Sequence, residues 1–304
     1  MCLHIAAASP RKLSLPESVW DGPNIIRIPF TLTGTLITVR GQIDSMEGNF
    51  FFDTGASELL LNSRYFGRRS GALAKERGGV TGKVRVLGNE KVDTLRIDNL
   101  VADDVYADVI SMTHLEYAKK IDLMGIIGQK IFHDYEVLFD YEAALIVLVK
   151  TDQNGAPLEA LPNWEYLNIG ETKLLVEGHV AVVWMRFDGK TERKFAIDSG
   201  AEQNLLHNSS GKQFLKNNYE IRKRVKLRGA SEKGVEVLSG LLYNARIDTF
   251  AWKPMATLLT NLGEINAVYK TYVDGIIGYE FLSQRPVAIN YKRKRLVFYE
   301  KVAP

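Results

Sequence analysis

The chain alternates short apolar runs with polar turns, a pattern typical of β-strands. Residues 24–43 and 173–190 are rich in β-branched and aromatic residues and are interrupted by glycines. Residues 139–149 and 289–299 each predict two strands around a tight polar turn. Helical periodicity is confined to short segments, such as Ser111 to Lys120 and the residues after each Ile-Ile-Gly. The sequence therefore predicts a mainly β fold.

The sequence also contains one internal repeat. Residues 125–148 align without a gap on residues 275–298, and both segments begin with Gly-Ile-Ile-Gly. An Asn-Gly pair and two prolines mark a linker between the copies. The repeat divides the chain into an N-terminal tail or leader remnant (1–24), a first lobe (25–150), a linker (151–173) and a second lobe (174–304).

Each copy places an aspartate directly after an apolar run. Asp53 is followed by Thr54 and Gly55, and Asp198 begins the equivalent Asp-Ser-Gly. A buried carboxylate is costly unless neighbours stabilise it, and a glycine two residues later permits a tight turn. If the copies pack about a pseudo-two-fold axis, the two aspartates can meet there and share one proton. The charged acid can then activate a water while the protonated acid polarises a carbonyl group.

These motifs carry a resemblance to a known family. They are Asp53-Thr54-Gly55-Ala56-Ser57, Asp198-Ser199-Gly200-Ala201-Glu202, Ile126-Ile127-Gly128 and Ile276-Ile277-Gly278. On these residues the chain resembles aspartic peptidases of the pepsin and retropepsin superfamily, in particular bacterial retropepsin-like proteins with two lobes in one chain. The resemblance implies two similar β-barrel lobes related by a pseudo-two-fold axis, as in the pepsin-like acid protease fold.

The same resemblance implies a role for each matched position. Asp53 and Asp198 would be the catalytic acids of an endopeptidase. Thr54, Gly55, Ser199 and Gly200 would support them, and Ile127, Gly128, Ile277 and Gly278 would form a ψ-shaped crossing behind the catalytic loops. Candidates for contact with substrate or for a flap over the cleft are Ala56, Ser57, Ala201, Glu202, Gly79 in residues 77–84 and Gly229 in residues 227–237. Ordinary hairpin loops remain an alternative for both glycine-bearing segments, and Glu202 could instead pair with a basic residue.

The composition of the chain limits the classes of partner and cofactor that we expect it to bind. A net charge of +3 does not suggest a nucleic-acid partner, and the longest apolar run, Ala143 to Val149, is far shorter than the roughly 20 residues of a membrane helix. The five histidines have no metal-ligand spacing and the single cysteine is Cys2, so we expect neither a metal nor another cofactor. We expect a monomer that acts on a peptide or protein. The Ala-Ala-Ala-Ser stretch near the N-terminus favours a periplasmic or secreted location over the cytoplasm.

Three alternatives remain open at this level. The chain could be a bilobal module that binds an extended peptide without cleaving it. Each lobe could pair with the same lobe of another chain. Both Asp-Thr/Ser-Gly elements could also be β-turns in which the aspartate only caps the turn.

Overall fold

The computed structural model describes residues 23–67, 75–79, 82–227, 235–269 and 271–302. Over this part of the chain strands far outnumber helices, which confirms the predicted mainly β class. The predicted N-terminal tail, except for its last two residues, lies outside the described residues.

The first repeat contains eleven strands and one α-helix among the described residues. Its 3-10 helical turn, Gln129–Phe132, directly follows Gly128. The elements are β1 (Ile25–Pro29), β2 (Thr31–Thr33), β3 (Leu36–Ile43), β4 (Met46–Phe52), β5 (Leu59–Asn62), β6 (Lys75–Gly79), β7 (Gly82–Ile97), β8 (Leu100–Ile110), α1 (Thr113–Lys119), β9 (Leu123–Ile127), β10 (Tyr135–Asp140) and β11 (Leu145–Lys150).

The second repeat adds thirteen strands and three α-helices within the described ranges. The short helix α4 directly follows Gly278, as the 3-10 turn follows Gly128. The elements are β12 (Tyr166–Lys173), β13 (Leu175–Glu177), β14 (Val180–Phe187), β15 (Thr191–Ile197), β16 (Asn204–His207), α2 (Lys212–Asn218), β17 (Tyr219–Leu227), β18 (Val235–Leu242), β19 (Arg246–Ile247), β20 (Phe250–Ala251), β21 (Met255–Thr260), α3 (Gly263–Tyr269), β22 (Gly275–Ile277), α4 (Tyr279–Leu282), β23 (Val287–Asn290) and β24 (Arg295–Lys301).

Both repeats contribute strands to one six-stranded sheet. Its order is β1-β11-β10-β23-β24-β12, and the antiparallel pair β10–β23 joins the two halves. The edge strand β12 lies within the segment 151–173 that the sequence predicts as a linker. This strand is hard to recognise because its middle is polar and its register on β24 shifts between Asn168 and Gly170.

Each repeat also forms its own curled sheet. The first is eight-stranded, in the order β2-β3-β4-β9-β5-β8-β7-β6. The second is ten-stranded, with the path β17-β18-β21-β16-β22-β15-β14-β19-β20 and β13 paired to β14. One Asp-Thr/Ser-Gly loop follows a strand near the middle of each of these sheets, β4 in the first and β15 in the second.

A continuous apolar core connects the sheets. The largest buried cluster contains residues of both repeats, including Phe52, Phe139 and Phe298. Phe52 stacks on Phe132 with ring centroids 4.5 Å apart and meets Phe139 edge to face. Because Phe52 directly precedes Asp53, this packing fixes the point at which the chain leaves the core.

Candidate active site

Two buried strands each end at an aspartate. In β4 the side chains of Phe50 to Phe52 are buried, and in β15 those of Phe195 to Ile197 are buried. The strand pairing continues one residue further in both, because Asp53 N donates to Ile127 O at 3.0 Å and Asp198 N donates to Ile277 O at 2.9 Å. The two Ile-Ile-Gly segments therefore hold the backbone of both aspartates.

The Ile-Ile-Gly strand passes between the two strands that flank the aspartate loop in each repeat. Strand β9 is parallel to β4 and antiparallel to β5, and β22 is related in the same way to β15 and β16. A Cβ atom on Gly128 would lie 2.2 Å from the backbone oxygen of Glu58, and one on Gly278 would lie 2.1 Å from that of Ala201. Only glycine fits at these two points, where one segment of the chain crosses another.

Thr54 and Ser199 connect the two loops through reciprocal hydrogen bonds. Thr54 N donates to Ser199 Oγ at 3.0 Å, and Ser199 N donates to Thr54 Oγ1 at 2.9 Å. Each hydroxyl group also donates to the strand that precedes the other loop, from Ser199 Oγ to Phe52 O at 2.9 Å and from Thr54 Oγ1 to Ile197 O at 3.2 Å. Both side chains are buried. Every polar atom named here has a partner, so the network fixes the separation of the loops.

Each carboxyl group also lies against the glycine of the opposite loop. A Cβ atom on Gly55 would lie 2.5 Å from Cγ of Asp198, and one on Gly200 would lie 2.4 Å from Cγ of Asp53. The backbone N–H of each glycine donates to the aspartate of its own loop, with distances of 2.7 Å for Gly55 to Asp53 Oδ1 and 2.8 Å for Gly200 to Asp198 Oδ1. The glycines therefore allow the two carboxyl groups to approach each other within a single chain.

The two acids differ in their surroundings. Asp198 is buried, whereas Asp53 is half-buried and also accepts a bond from Ala56 N at 3.2 Å. Burial holds the pKa of Asp198 well above its usual range, and the nearby charge of Asp53 raises it further. Both effects favour the protonated form of Asp198.

Two hairpin turns reach across from one repeat to the loop of the other. The two-residue turn Gly34–Thr35 joins β2 to β3, and Thr35 Oγ1 donates to Glu202 O at 3.1 Å. The equivalent turn, Gly178–His179, joins β13 to β14, and His179 Nε2 lies 2.8 Å from Gly55 O. Each aspartate loop thus contacts a turn that belongs to the other repeat.

The remaining predicted residues have separate positions. The carboxylate of Glu202 forms an ion pair with Lys119 at the end of α1, so it pairs with a basic residue of the first repeat. Ser57 O accepts from Lys130 N at 3.0 Å. Ile127 and Ile277 are buried in the core, and Ala56 and Ala201 each pack against an apolar cluster of their own repeat.

The first flap candidate is a hairpin. Gly79 ends β6 and pairs with Gly82 at the start of β7, while the two residues between them lie outside the described residues. Backbone atoms of β6 approach α3, so this hairpin of the first repeat lies beside a helix of the second. Gly229, the second candidate, lies outside the described residues.

Two tyrosines near the acids are not among the site residues predicted from the sequence. Burial raises the pKa of Tyr291, and the charges of Asp198 and Asp53 raise it further. Burial likewise raises the pKa of Tyr141, with smaller contributions from Tyr279 and Asp198, and its hydroxyl has no hydrogen-bond partner among the described residues. Both tyrosines occupy the same position of the repeat, after Phe-Asp and Ile-Asn respectively. That coincidence was a usable signal in the sequence.

Two kinds of feature are absent from the described residues. No three of their His, Cys, Asp or Glu side chains converge as metal ligands. None of the helices in this part of the chain is both long and apolar enough to cross a membrane. In the comparisons with known proteins, no family model and no curated protein matches the chain.

Proposed function

We propose that the protein is an aspartic endopeptidase in which Asp53 and Asp198 activate one water molecule. The reciprocal packing of each carboxyl group on the glycine of the opposite loop is the observation that carries this proposal. It supports a dyad within one chain, in preference to pairing between chains. The Thr54–Ser199 hydrogen bonds support the same reading, because simple Asp-capped turns do not require a second turn of the same kind.

The proposal includes two pepsin-like lobes related by a pseudo-two-fold axis. Its support is the register of β10 on β23, in which Leu138 pairs with Ala288, its own counterpart 150 residues later. On either side of this pair, Val137 faces Ile289 and Phe139 faces Val287. Val137 thus pairs with the counterpart of Phe139, and Phe139 pairs with the counterpart of Val137. This exchange is characteristic of a two-fold interface.

The environments of the acids suggest their roles. Asp53 is the more exposed acid and accepts two backbone N–H bonds, so in this proposal it is the charged member. It would take a proton from the water as the oxygen of that water bonds to the carbonyl carbon of the substrate. Asp198 would give its proton to the carbonyl oxygen, which produces a neutral tetrahedral diol. The C–N bond would then break as the proton on Asp53 passes to the leaving nitrogen, and one diol hydroxyl would return a proton to Asp198. Both acids then regain their starting states.

Single substitutions at the acids test this proposal. We expect Asp53→Asn and Asp198→Asn each to abolish cleavage of a mixture of denatured proteins, measured by mass spectrometry of the new peptides, because one shared proton and one activated water require both acids. Asp248→Asn makes the same chemical change on an exposed turn and should keep wild-type activity. Circular dichroism of all three variants checks that the fold is retained.

Two outcomes would contradict the proposal in different ways. Substantial activity in either active-site variant would exclude the intramolecular dyad. A folded wild-type protein that retains extended peptides without cleaving them would instead support the peptide-binding alternative.

A further inference from the structure

The turn Gly178–His179 brings an imidazole to one loop of the dyad. Gly178 takes a φ of +65°, which suits the first position of a two-residue hairpin turn, and its partners Glu177 and Val180 close the hairpin. His179 Nε2 lies 2.8 Å from the carbonyl oxygen of Gly55. Because a carbonyl oxygen only accepts hydrogen bonds, Nε2 carries the hydrogen and donates it.

The carbonyl that His179 contacts belongs to the peptide unit that faces Asp53. That peptide joins Gly55 to Ala56, and its N–H donates to Asp53 Oδ1 at 3.2 Å. A donor on the oxygen of a peptide polarises the unit and strengthens the bond that its N–H makes. The three groups therefore form one chain of hydrogen bonds, from the imidazole through the peptide to the carboxylate.

The second loop of the dyad has a different arrangement. The counterpart of His179 is Thr35, and its hydroxyl donates to Glu202 O rather than to the carbonyl of Gly200, the counterpart of Gly55. The hydrogen bond behind the Gly55–Ala56 peptide is therefore specific to the loop of Asp53. This is the acid that the proposed mechanism requires in its charged form.

We propose that His179 is a positioning residue for the reaction, which orients and polarises the Gly55–Ala56 peptide so that Asp53 is held as a carboxylate facing the water. The role is indirect, because the imidazole acts on Asp53 through the Gly55–Ala56 peptide. It rests on the proposed peptidase function.

Two substitutions separate the hydrogen bond from the shape of the side chain. His179→Leu removes the donor, and we expect kcat to fall roughly 3- to 10-fold, the rate equivalent of one hydrogen bond, with KM unchanged. His179→Gln keeps an N–H donor that can reach the same carbonyl, and it should restore kcat to within about 3-fold of wild type. His207→Leu is the matched control, because the hydrogen bonds described for its imidazole are only to the neighbouring residues Asn208 and Ser209.

A second measurement does not depend on activity. The amide proton of Ala56 should move upfield in the NMR spectrum of His179→Leu and return toward its wild-type position in His179→Gln, because its bond to Asp53 weakens and recovers. If the wild-type protein cleaves no peptide, this shift still tests the hydrogen-bond chain, so failure of the proposed function and failure of this inference are distinguishable.

Three results would overturn the inference. One is an unchanged kcat in folded His179→Leu. Another is a change confined to KM, which would place the imidazole against substrate instead of behind Asp53. The third is equal loss in the Leu and Gln variants, with the Ala56 amide unmoved, which would show that the imidazole contributes packing rather than a hydrogen bond.

Discussion

Replacing Asp198 by asparagine should change how the stability of the protein depends on pH. Burial and the charge of Asp53 hold the pKa of Asp198 well above its usual range, whereas in the unfolded chain an aspartate ionises near pH ~4. Between those two pKa values the folded protein binds one proton more than the unfolded chain. The stabilisation from this proton is complete below pH ~4 and is lost as pH rises toward the folded-state pKa, at about 1.4 kcal/mol per pH unit.

Asparagine has nearly the same shape as a protonated aspartate but takes up no proton. Its oxygen can accept the bond from Gly200 N, which spans 2.8 Å in the wild type, and its amide can donate toward Asp53. We therefore expect Asp198→Asn to gain stability over the wild type as pH rises, with the difference in unfolding free energy growing by up to about 1.4 kcal/mol per pH unit above pH ~4. Urea denaturation at steps of about one pH unit, followed by tryptophan fluorescence, measures this difference.

The exposed turn residue Asp248 again provides the matched control. Asp248→Asn should give a stability curve parallel to that of the wild type over the same pH range, because its side chain lies on an exposed turn and outside both aspartate loops. If the curves of Asp198→Asn and the wild type also run parallel, Asp198 is not protonated in the folded protein near neutral pH. The assignment of the shared proton to Asp198 would then be wrong.

Two further predictions concern the support of the loops. Gly128→Ala and Gly278→Ala should each lower the unfolding free energy by roughly 1 to 3 kcal/mol, because the new methyl group would lie 2.2 Å and 2.1 Å, respectively, from a backbone oxygen. In the control Gly263→Ala the methyl group would meet only an asparagine side chain, so this change should cost far less. Equal melting temperatures for all three variants would refute the prediction. A double-mutant cycle with alanine at Lys119 and Glu202 should give a favourable coupling of about 0.5 to 1 kcal/mol that weakens with salt, since the pair is partly exposed, and a coupling near zero would show that it does not connect the repeats.

The local course of the chain around the candidate site could be read from the sequence. An apolar run that stops at Asp-Thr-Gly or Asp-Ser-Gly predicts a strand followed by a tight turn, and each occurs with an Ile-Ile-Gly at a matched distance. The structure pairs those segments, and the crossing leaves no space for a side chain at Gly128 or Gly278. Such features depend on steric limits of the backbone, and the type of residue at each position indicates those limits directly.

Contacts that depend on the reach of a side chain between distant segments could not be read in this way. His179 was one of five histidines without metal-ligand spacing, and nothing in its neighbours indicates that a hairpin turn places it on Gly55. Glu202 meets Lys119 only because α1 of the first repeat ends beside the second loop. Strand β12 was hidden because a polar edge strand buries few side chains and so lacks a clear alternation.

The internal repeat explains why two identical acids need not act identically. Reciprocal bonds between Thr54 and Ser199 make the backbone of the two loops nearly equivalent, so the carboxyl groups meet in similar geometry. The surroundings of the two acids differ: Asp53 is more exposed and accepts a bond from Ala56 N, while Asp198 is buried. A pair of equivalent carboxyl groups shares its proton evenly, and burial of one member shifts the proton to that member. In the proposed mechanism, the difference in burial between Asp53 and Asp198 therefore decides which acid is the base.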